Sequence, residues 1–295
     1  MLVKQIVTPL VEVVASTNSS AATTDQIIEM WLHGKSLATQ SQYRRVVKRL
    51  LEYSGKPIQW ITLRDLQGFA DTLERQGLAA STRRTYLGNV KSLLSFTHRT
   101  GLIAHNVGAA LTTPKAKDCL AQRILSREDV LKLIEAESNT RNTLLLKVLY
   151  FGGLRVSELC SLTWGDLIVN GSSGQLLVFG KGGKTRAVLL PEWLHTELLE
   201  FRSDSANDNP IFQSRKGCRQ PLTRFAVTRI VKAAAQRIGV SEEASAHWLR
   251  HCHASHSLDK GAPISLVQQT LGHSSVATTS RYLHARPNQS SALFL

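Results

Sequence analysis

Five short stretches in the second half of the chain hold the side chains best suited to chemistry. GGLRVSEL places Arg155 after two glycines at a helix start, among Leu154, Val156 and Leu159. An arginine in such apolar company needs an anionic partner, and Glu158 is the nearest candidate. FGKGGKTR sets Lys181 and Lys184 in a glycine-rich turn, where a lysine is a mobile proton donor and backbone can approach a phosphate closely. AHWLRHCHASHSL carries His247, Arg250, His251, His253 and His256 on one helix. His247 and His251 are four residues apart, the spacing of a metal pair, but the glutamate of HExxH is missing. No third ligand is well placed except Cys252, so no metal is expected, and His251 and His256 read as satisfied core histidines. LGHSS and RYLH then bring His273 to the end of one helix and Tyr282 onto the next. A lone helical tyrosine is usually packing with a wet tip; the basic groups upstream raise the alternative that its hydroxyl reacts.

The elements that must position these groups read as mainly helical with a small antiparallel sheet. GDLIV, QLLVFG and TRAVLLP are short β-rich runs parted by NGSSG and KGGK, a three-stranded meander. Helical periodicity surrounds them, from a Ser126 cap in SREDV to Leu159 and again after Pro191, with an irregular loop at SDSANDNP. The first half reads as a bundle of about four helices. TQSQYRRVVKRLLEYSG spaces Tyr43, Val46, Val47, Leu50 and Leu51 on one face and stops at Gly55. Thr62 caps the next helix, which ends at Gly77, and Ser81 or Thr82 caps a last one closed by Gly101. TTPKAKDCLAQRI breaks the pattern. The expected division is a tail or docking arm over 1–19, a helical domain over 20–113, a linker over 114–123 and a second domain over 124–295.

Bulk properties point the same way. The 295 residues suit two domains and carry a formal charge of +14. Such an excess points to a polyanion, and nucleic acid is the usual one. Arg44, Arg45, Lys48, Arg83, Arg84 and Lys91, near helix starts or on exposed faces of the bundle, are the expected phosphate contacts. The widely spaced Cys119, Cys160, Cys218 and Cys252 argue against a disulfide framework and for a reducing compartment. No apolar run reaches membrane-spanning length, so no membrane is expected and the location read from the sequence is cytoplasmic, on the nucleoid.

Taken in order, GLRVSEL, GKGGKTR, HWLRH, LGHSS and RYLH resemble the tyrosine site-specific recombinase (phage integrase) family, closest to its Xer-like, integron- or transposon-borne members. No single stretch is specific; five in order, with similar gaps, are. The resemblance covers most of Leu125 to Arg286, and the preceding bundle looks like the family's core-binding domain. It implies that Tyr282 attacks a scissile phosphate to give a 3′-phosphotyrosine, and that strands are exchanged through a Holliday junction. Arg155 and Arg250 clamp the non-bridging oxygens. His247 assists proton removal from a hydroxyl whose free pKa is about 10, and His273 donates to the phosphate. Lys181, directly after Gly180 and preferred for that reason over Lys184, protonates the leaving 5′-oxygen. No cofactor is implied. The implied partner is double-stranded DNA with inverted-repeat core sites, bound by a homo-tetramer on two sites, with room for an accessory recombinase or a DNA-bending protein. The apolar end SSALFL is expected to dock on a neighbouring subunit. Two other readings use the same residues: a type IB topoisomerase, and a DNA-binding regulator that keeps the fold without catalysis.

Overall fold

The computed structural model describes residues 22–115, 117–171, 173–180, 183–215 and 219–285, the side chains of 284 and 285 excepted. The arm at 1–19, Lys181 and the SSALFL end lie outside the described residues. The chain divides into two units, one ending at Lys117 and the other beginning at Asp118.

The first unit is a helical bundle: α1 (Thr24–Leu32), α2 (Leu37–Ser54), α3 (Leu63–Arg75) and α4 (Ala80–Arg99). Local chemistry sets each end. Thr23 and Gln26 form a reciprocal capping box on α1, Ser36 caps α2, and Gly55 closes α2 in the left-handed conformation. Thr62 caps α3 with Asp65 reaching back. The expected Ser81 or Thr82 cap on α4 is not what forms. Gly77 turns left-handed and Leu78 N–H returns to Leu73 O, so the chain reverses within two residues. The helix therefore starts at Ala80, with Ala79 as an uncapped N-cap. The core interleaves Ile27 and Leu32 with Val46, Val47 and Leu50, then Leu66, Phe69 and Leu73, then Leu87, Val90, Leu93 and Leu94. Each such side chain contributes roughly 1.5–3 kcal/mol by leaving water.

The second unit runs α5 (Arg127–Glu135), α6 (Thr140–Phe151), α7 (Val156–Ser161), β1 (Leu167–Asn170), β2 (Ser173–Phe179), β3 (Thr185–Leu190), α8 (Glu192–Arg202), α9 (Arg224–Arg237), α10 (Ala246–Asp259), α11 (Ile264–Leu271) and α12 (Val276–Ala285). The strands form an antiparallel meander in the order β1-β2-β3. Leu167, Leu176 and Val188 stand in register on the face that enters the core. The sheet lies at one edge of a helical core, as the sequence pattern predicts. The helix α10 is almost wholly enclosed: Leu249, Arg250, His251, Cys252, Ala254, Ser255 and His256 are buried. A histidine-rich helix packed on several neighbours needs its ring nitrogens paired. His256 is satisfied by the Tyr150 hydroxyl at 2.9 Å and by Leu125 O at 3.0 Å, a core histidine as read from the sequence. Among the described residues no helix is long and apolar enough to cross a membrane.

Candidate active site

The site is organised around the C-terminus of α11. Its last turn exposes the carbonyls of Thr270, Leu271 and Gly272, the negative end of the helix, and three guanidinium groups from three elements take them. Arg186 on β3 donates Nε–H to Thr270 O at 2.7 Å. Arg250 on α10 donates to Leu271 O at 2.6 Å and also to Gly153 O at 2.6 Å. Arg155, the N-cap of α7, donates to Gly272 O at 3.3 Å.

Two glycines make this approach possible. Gly153 sits at φ +58, and a Cβ there would fall 2.7 Å from the His253 ring. Gly272 sits at φ +64 as the left-handed cap of α11, and a Cβ there would crowd the Arg186 side chain at 3.1 Å. These are the glycines that stand before Arg155 and His273 in the sequence.

Glu158 completes the frame. It is 4 % exposed and accepts from the Arg155 backbone N–H at 2.8 Å, from Arg155 Nη1 at 2.7 Å, and from both terminal nitrogens of Arg186 at 2.9 and 2.8 Å. Burial works to raise its pKa. The hydrogen bonds from Arg186 and from the Arg155 backbone and side chain outweigh this and hold it down at about 2. So Glu158 is the anionic partner the sequence anticipates for Arg155, and the structure adds a second cation, Arg186. That residue stands in the GKGGKTR stretch but carries no expected role. The signal available for it was the need of a buried carboxylate for more than one donor.

Arg250 is 1 % exposed, and burial, followed by the neighbouring Arg155 charge, lowers its pKa to about 10. It therefore stays protonated at neutral pH. His273 lies beside it, with Nδ1 2.9 Å from the Thr279 hydroxyl and its ring parallel to that of Tyr282 at a centroid distance of 6.5 Å. His247 is exposed, and its ring stands edge-on to His251 at 4.2 Å. Tyr282 itself is 5 % exposed. Its hydroxyl lies 2.8 Å from Nδ1 of His251, and burial raises its pKa against the pull of Arg250 and Arg281. The structure thus brings Arg155, His247, Arg250, His273 and Tyr282 into one connected set. The sequence offers His251 only as a core histidine; its bond to the Tyr282 hydroxyl depends on the packing of α10 against α12.

Three histidines here, His251 buried and His253 and His273 half-buried, stand in a basic neighbourhood. Burial first, helped by nearby basic side chains and, for His253, opposed by its hydrogen bond to Tyr150 O, pushes His251 to about 3, His253 to about 4 and His273 to about 4, from an ordinary value of 6.5. All three are neutral at pH 7. The sign of the consequence follows from linkage: the unfolded chain takes up these protons near pH 6.5, while the folded protein refuses them until near pH 4. Stability is therefore complete above pH 6.5 and drains away below it. The thermal midpoint should fall steadily between about pH 6.5 and 4.5. A midpoint that holds level across that window would mean that these rings are not held neutral.

The expected DNA contacts of the first unit are not equally free. Arg44 is paired with Glu29, Arg83 with Glu74, and Lys48 lies 3.8 Å from Glu52. Lys91 donates to Leu111 O at 2.6 Å. Arg45 and Arg84 are exposed and have no ion-pair partner among the described residues.

The chain matches the phage integrase family over residues 123–289, and the N-terminal SAM-like domain of phage integrases over residues 29–101. It is 33 % identical over 268 residues to the tyrosine recombinase XerD of Oceanobacillus iheyensis, covering 85 % of this chain and 89 % of that protein. It is 36 % identical over 225 residues to the tyrosine recombinase XerC of Xanthomonas axonopodis pv. citri, covering 74 % and 72 %. Among solved structures, the XerH recombinase bound to its difH substrate aligns with a TM-score of 0.69 at 24 % identity, over 93 % of this chain and 84 % of that one. A lambda integrase dimer bound to a core site aligns at 0.73 and 22 % identity, over 90 % and 77 %. These two likenesses establish the fold.

Proposed function

Since the chain belongs to the phage integrase family and is a tyrosine recombinase, we propose that Tyr282 is its nucleophile and that Arg155, Lys181, His247, Arg250 and His273 assist it. The enzyme is a site-specific recombinase that cuts and rejoins DNA strands; neither a topoisomerase nor a silent regulator is favoured. The observation that supports the residue roles is that Arg155 and Arg250 meet at the end of α11, which leads into His273, whose ring lies parallel to that of Tyr282, while His247 neighbours His251, the partner of the Tyr282 hydroxyl. A phosphodiester resists attack because its oxygens repel the incoming nucleophile. Arg155 and Arg250 offset that repulsion at the non-bridging oxygens, where charge grows in the transition state. The Tyr282 oxygen bonds to phosphorus, the bond to the 5′-oxygen breaks, and a 3′-phosphotyrosine remains. His247 helps the phenolic proton leave. His273 is neutral, and in the tautomer whose Nδ1 accepts from Thr279 its other nitrogen carries the proton it offers to the phosphate. Lys181 supplies the proton to the departing 5′-oxygen. A 5′-hydroxyl from the partner duplex reverses the step, which yields a Holliday junction. The phosphotyrosine conserves the energy of the broken bond, so the balance of bonds calls for neither a nucleotide nor a metal.

The proposal extends to partners. Residues 20–113 form a core-binding domain, 114–123 a linker and 124–295 the catalytic domain. Four copies act on two duplexes with inverted-repeat sites in the cytoplasm. Fold likeness to XerH and lambda integrase bound to DNA supports the DNA partner, and the net charge of +14 suits it. The decisive assay traps the chain on a nicked suicide substrate and maps the linked residue, which should be Tyr282. Junction resolution by the same preparation separates a recombinase from a topoisomerase.

Lys181 can be tested by relieving the need for its proton. Lys181→Ala should slow cleavage of ordinary DNA by about 100-fold or more, in the range typical of a lost general acid. A substrate whose leaving 5′-oxygen is replaced by sulfur should be cut at nearly the wild-type rate, because a thiolate departs without a proton. Equal slowing on both substrates would assign the acid elsewhere, with Lys184 next in line.

A further inference from the structure

The residue in contact with the Tyr282 hydroxyl is His251, which the roles above leave unused. We propose that His251 positions the nucleophile: its Nδ1 accepts the hydroxyl hydrogen of Tyr282 and so sets the direction in which the oxygen's lone pairs point. The inference rests on Tyr282 being the nucleophile.

Geometry carries it. The two groups are 2.8 Å apart, and both residues are buried, at 7 % and 5 % exposure. A phenol rotates freely about its C–O bond unless an acceptor fixes the hydrogen. In the enclosed space between α10 and α12, an imidazole nitrogen is that acceptor. With the hydrogen turned toward Nδ1, the lone pairs face away from His251 and are free for phosphorus. The opposite polarity, with Nδ1–H donating to the oxygen, would occupy a lone pair the reaction needs.

The surroundings favour an acceptor that never becomes charged. His247 and Arg250 face His251 from its own helix, Arg123 from the short 3₁₀ turn Ala121–Arg123, and Arg281 and Tyr282 from α12. Burial, with His247 and these arginines, holds the His251 pKa near 3. A ring so reluctant to take a proton is a poor base for a phenol whose own pKa is raised. Its part is to direct the hydroxyl before attack; as the oxygen bonds to phosphorus that hydrogen bond is given up, and the proton passes to His247, whose ring stands 4.2 Å from that of His251.

The test compares isosteres. An asparagine at 251 places its carbonyl oxygen near the position of Nδ1, a glutamine places it near Nε2, and a leucine offers no acceptor. Single-turnover cleavage of a suicide substrate is measured with half-site affinity and thermal midpoint alongside. His251→Leu should cut about 100-fold more slowly at unchanged affinity, the cost of a misdirected nucleophile. His251→Asn should stay within about tenfold of wild type, and His251→Gln should fall with the leucine variant. If His251→Leu does not fold, the contrast between asparagine and glutamine decides. The acid limb of the rate profile should keep its midpoint in His251→Asn, because a ring that stays neutral adds nothing to it. Equal rates for asparagine and glutamine, or loss of the acid limb in His251→Asn, would overturn the inference. Wild-type protein that forms no adduct at Tyr282 overturns the parent reading as well; an adduct with indifferent variants overturns this one alone.

Discussion

Tyr282→Phe is expected to bind a half-site nearly as well as the wild type and to form no covalent adduct on nicked DNA at any time or concentration. Affinity for DNA comes from phosphate contacts spread over basic surfaces, to which a buried hydroxyl adds nothing. The proposed chemical step, by contrast, is made by that hydroxyl. Loss of the hydroxyl also leaves His251 Nδ1 without its partner, inside a site where that costs about 1–3 kcal/mol. The variant should therefore show a modestly lower thermal midpoint, and gel shifts belong well below it. An adduct formed by the phenylalanine protein would remove Tyr282 from the mechanism altogether.

Arg250→Lys should be nearly as damaging to cleavage as loss of the tyrosine, although the charge is kept. Arg250 holds Gly153 O and Leu271 O with separate nitrogens of one planar group. A lysine has one ammonium on a flexible stem and cannot serve both carbonyls and a phosphate. Single-turnover cleavage should drop by about 10³-fold, at the upper end for a lost oxyanion donor. The abandoned carbonyl should lower stability by about 1–3 kcal/mol. Both are read on the same preparation, by suicide-substrate kinetics and thermal unfolding. A lysine variant that folds normally and cuts within tenfold of wild type would mean that Arg250 is a structural brace with no hold on the phosphate.

The parts of the site visible in the sequence are those fixed by local geometry. Arg250 and His247 are one helical turn apart, and the glycines before Arg155 and His273 announce backbone that only glycine adopts easily. The sheet was legible because its strands alternate between two short polar turns. What stayed hidden depends on elements far apart in the chain. Arg186 and Glu158 are 28 residues apart and meet only because β3 passes α7. His251 meets Tyr282 across 31 residues. Its ring looks the same in sequence as that of His256, whose partner is a different tyrosine. Likewise nothing in the run of basic residues tells Arg44 and Arg83, neutralised by glutamates on neighbouring helices, from Arg45 and Arg84, which are not.

The three carbonyls at the end of α11 have a consequence for how this protein can change over generations. Arg155, Arg186 and Arg250 each fasten the same turn, and that turn leads to His273 and, beyond it, to the helix of Tyr282. Once one fastener is gone, the turn loosens and the remaining two lose part of their worth. Paired substitutions should then cost less than the sum of single ones. A lineage that drifts away from catalysis would shed these arginines together after the first loss, while one that stays active is obliged to keep all three.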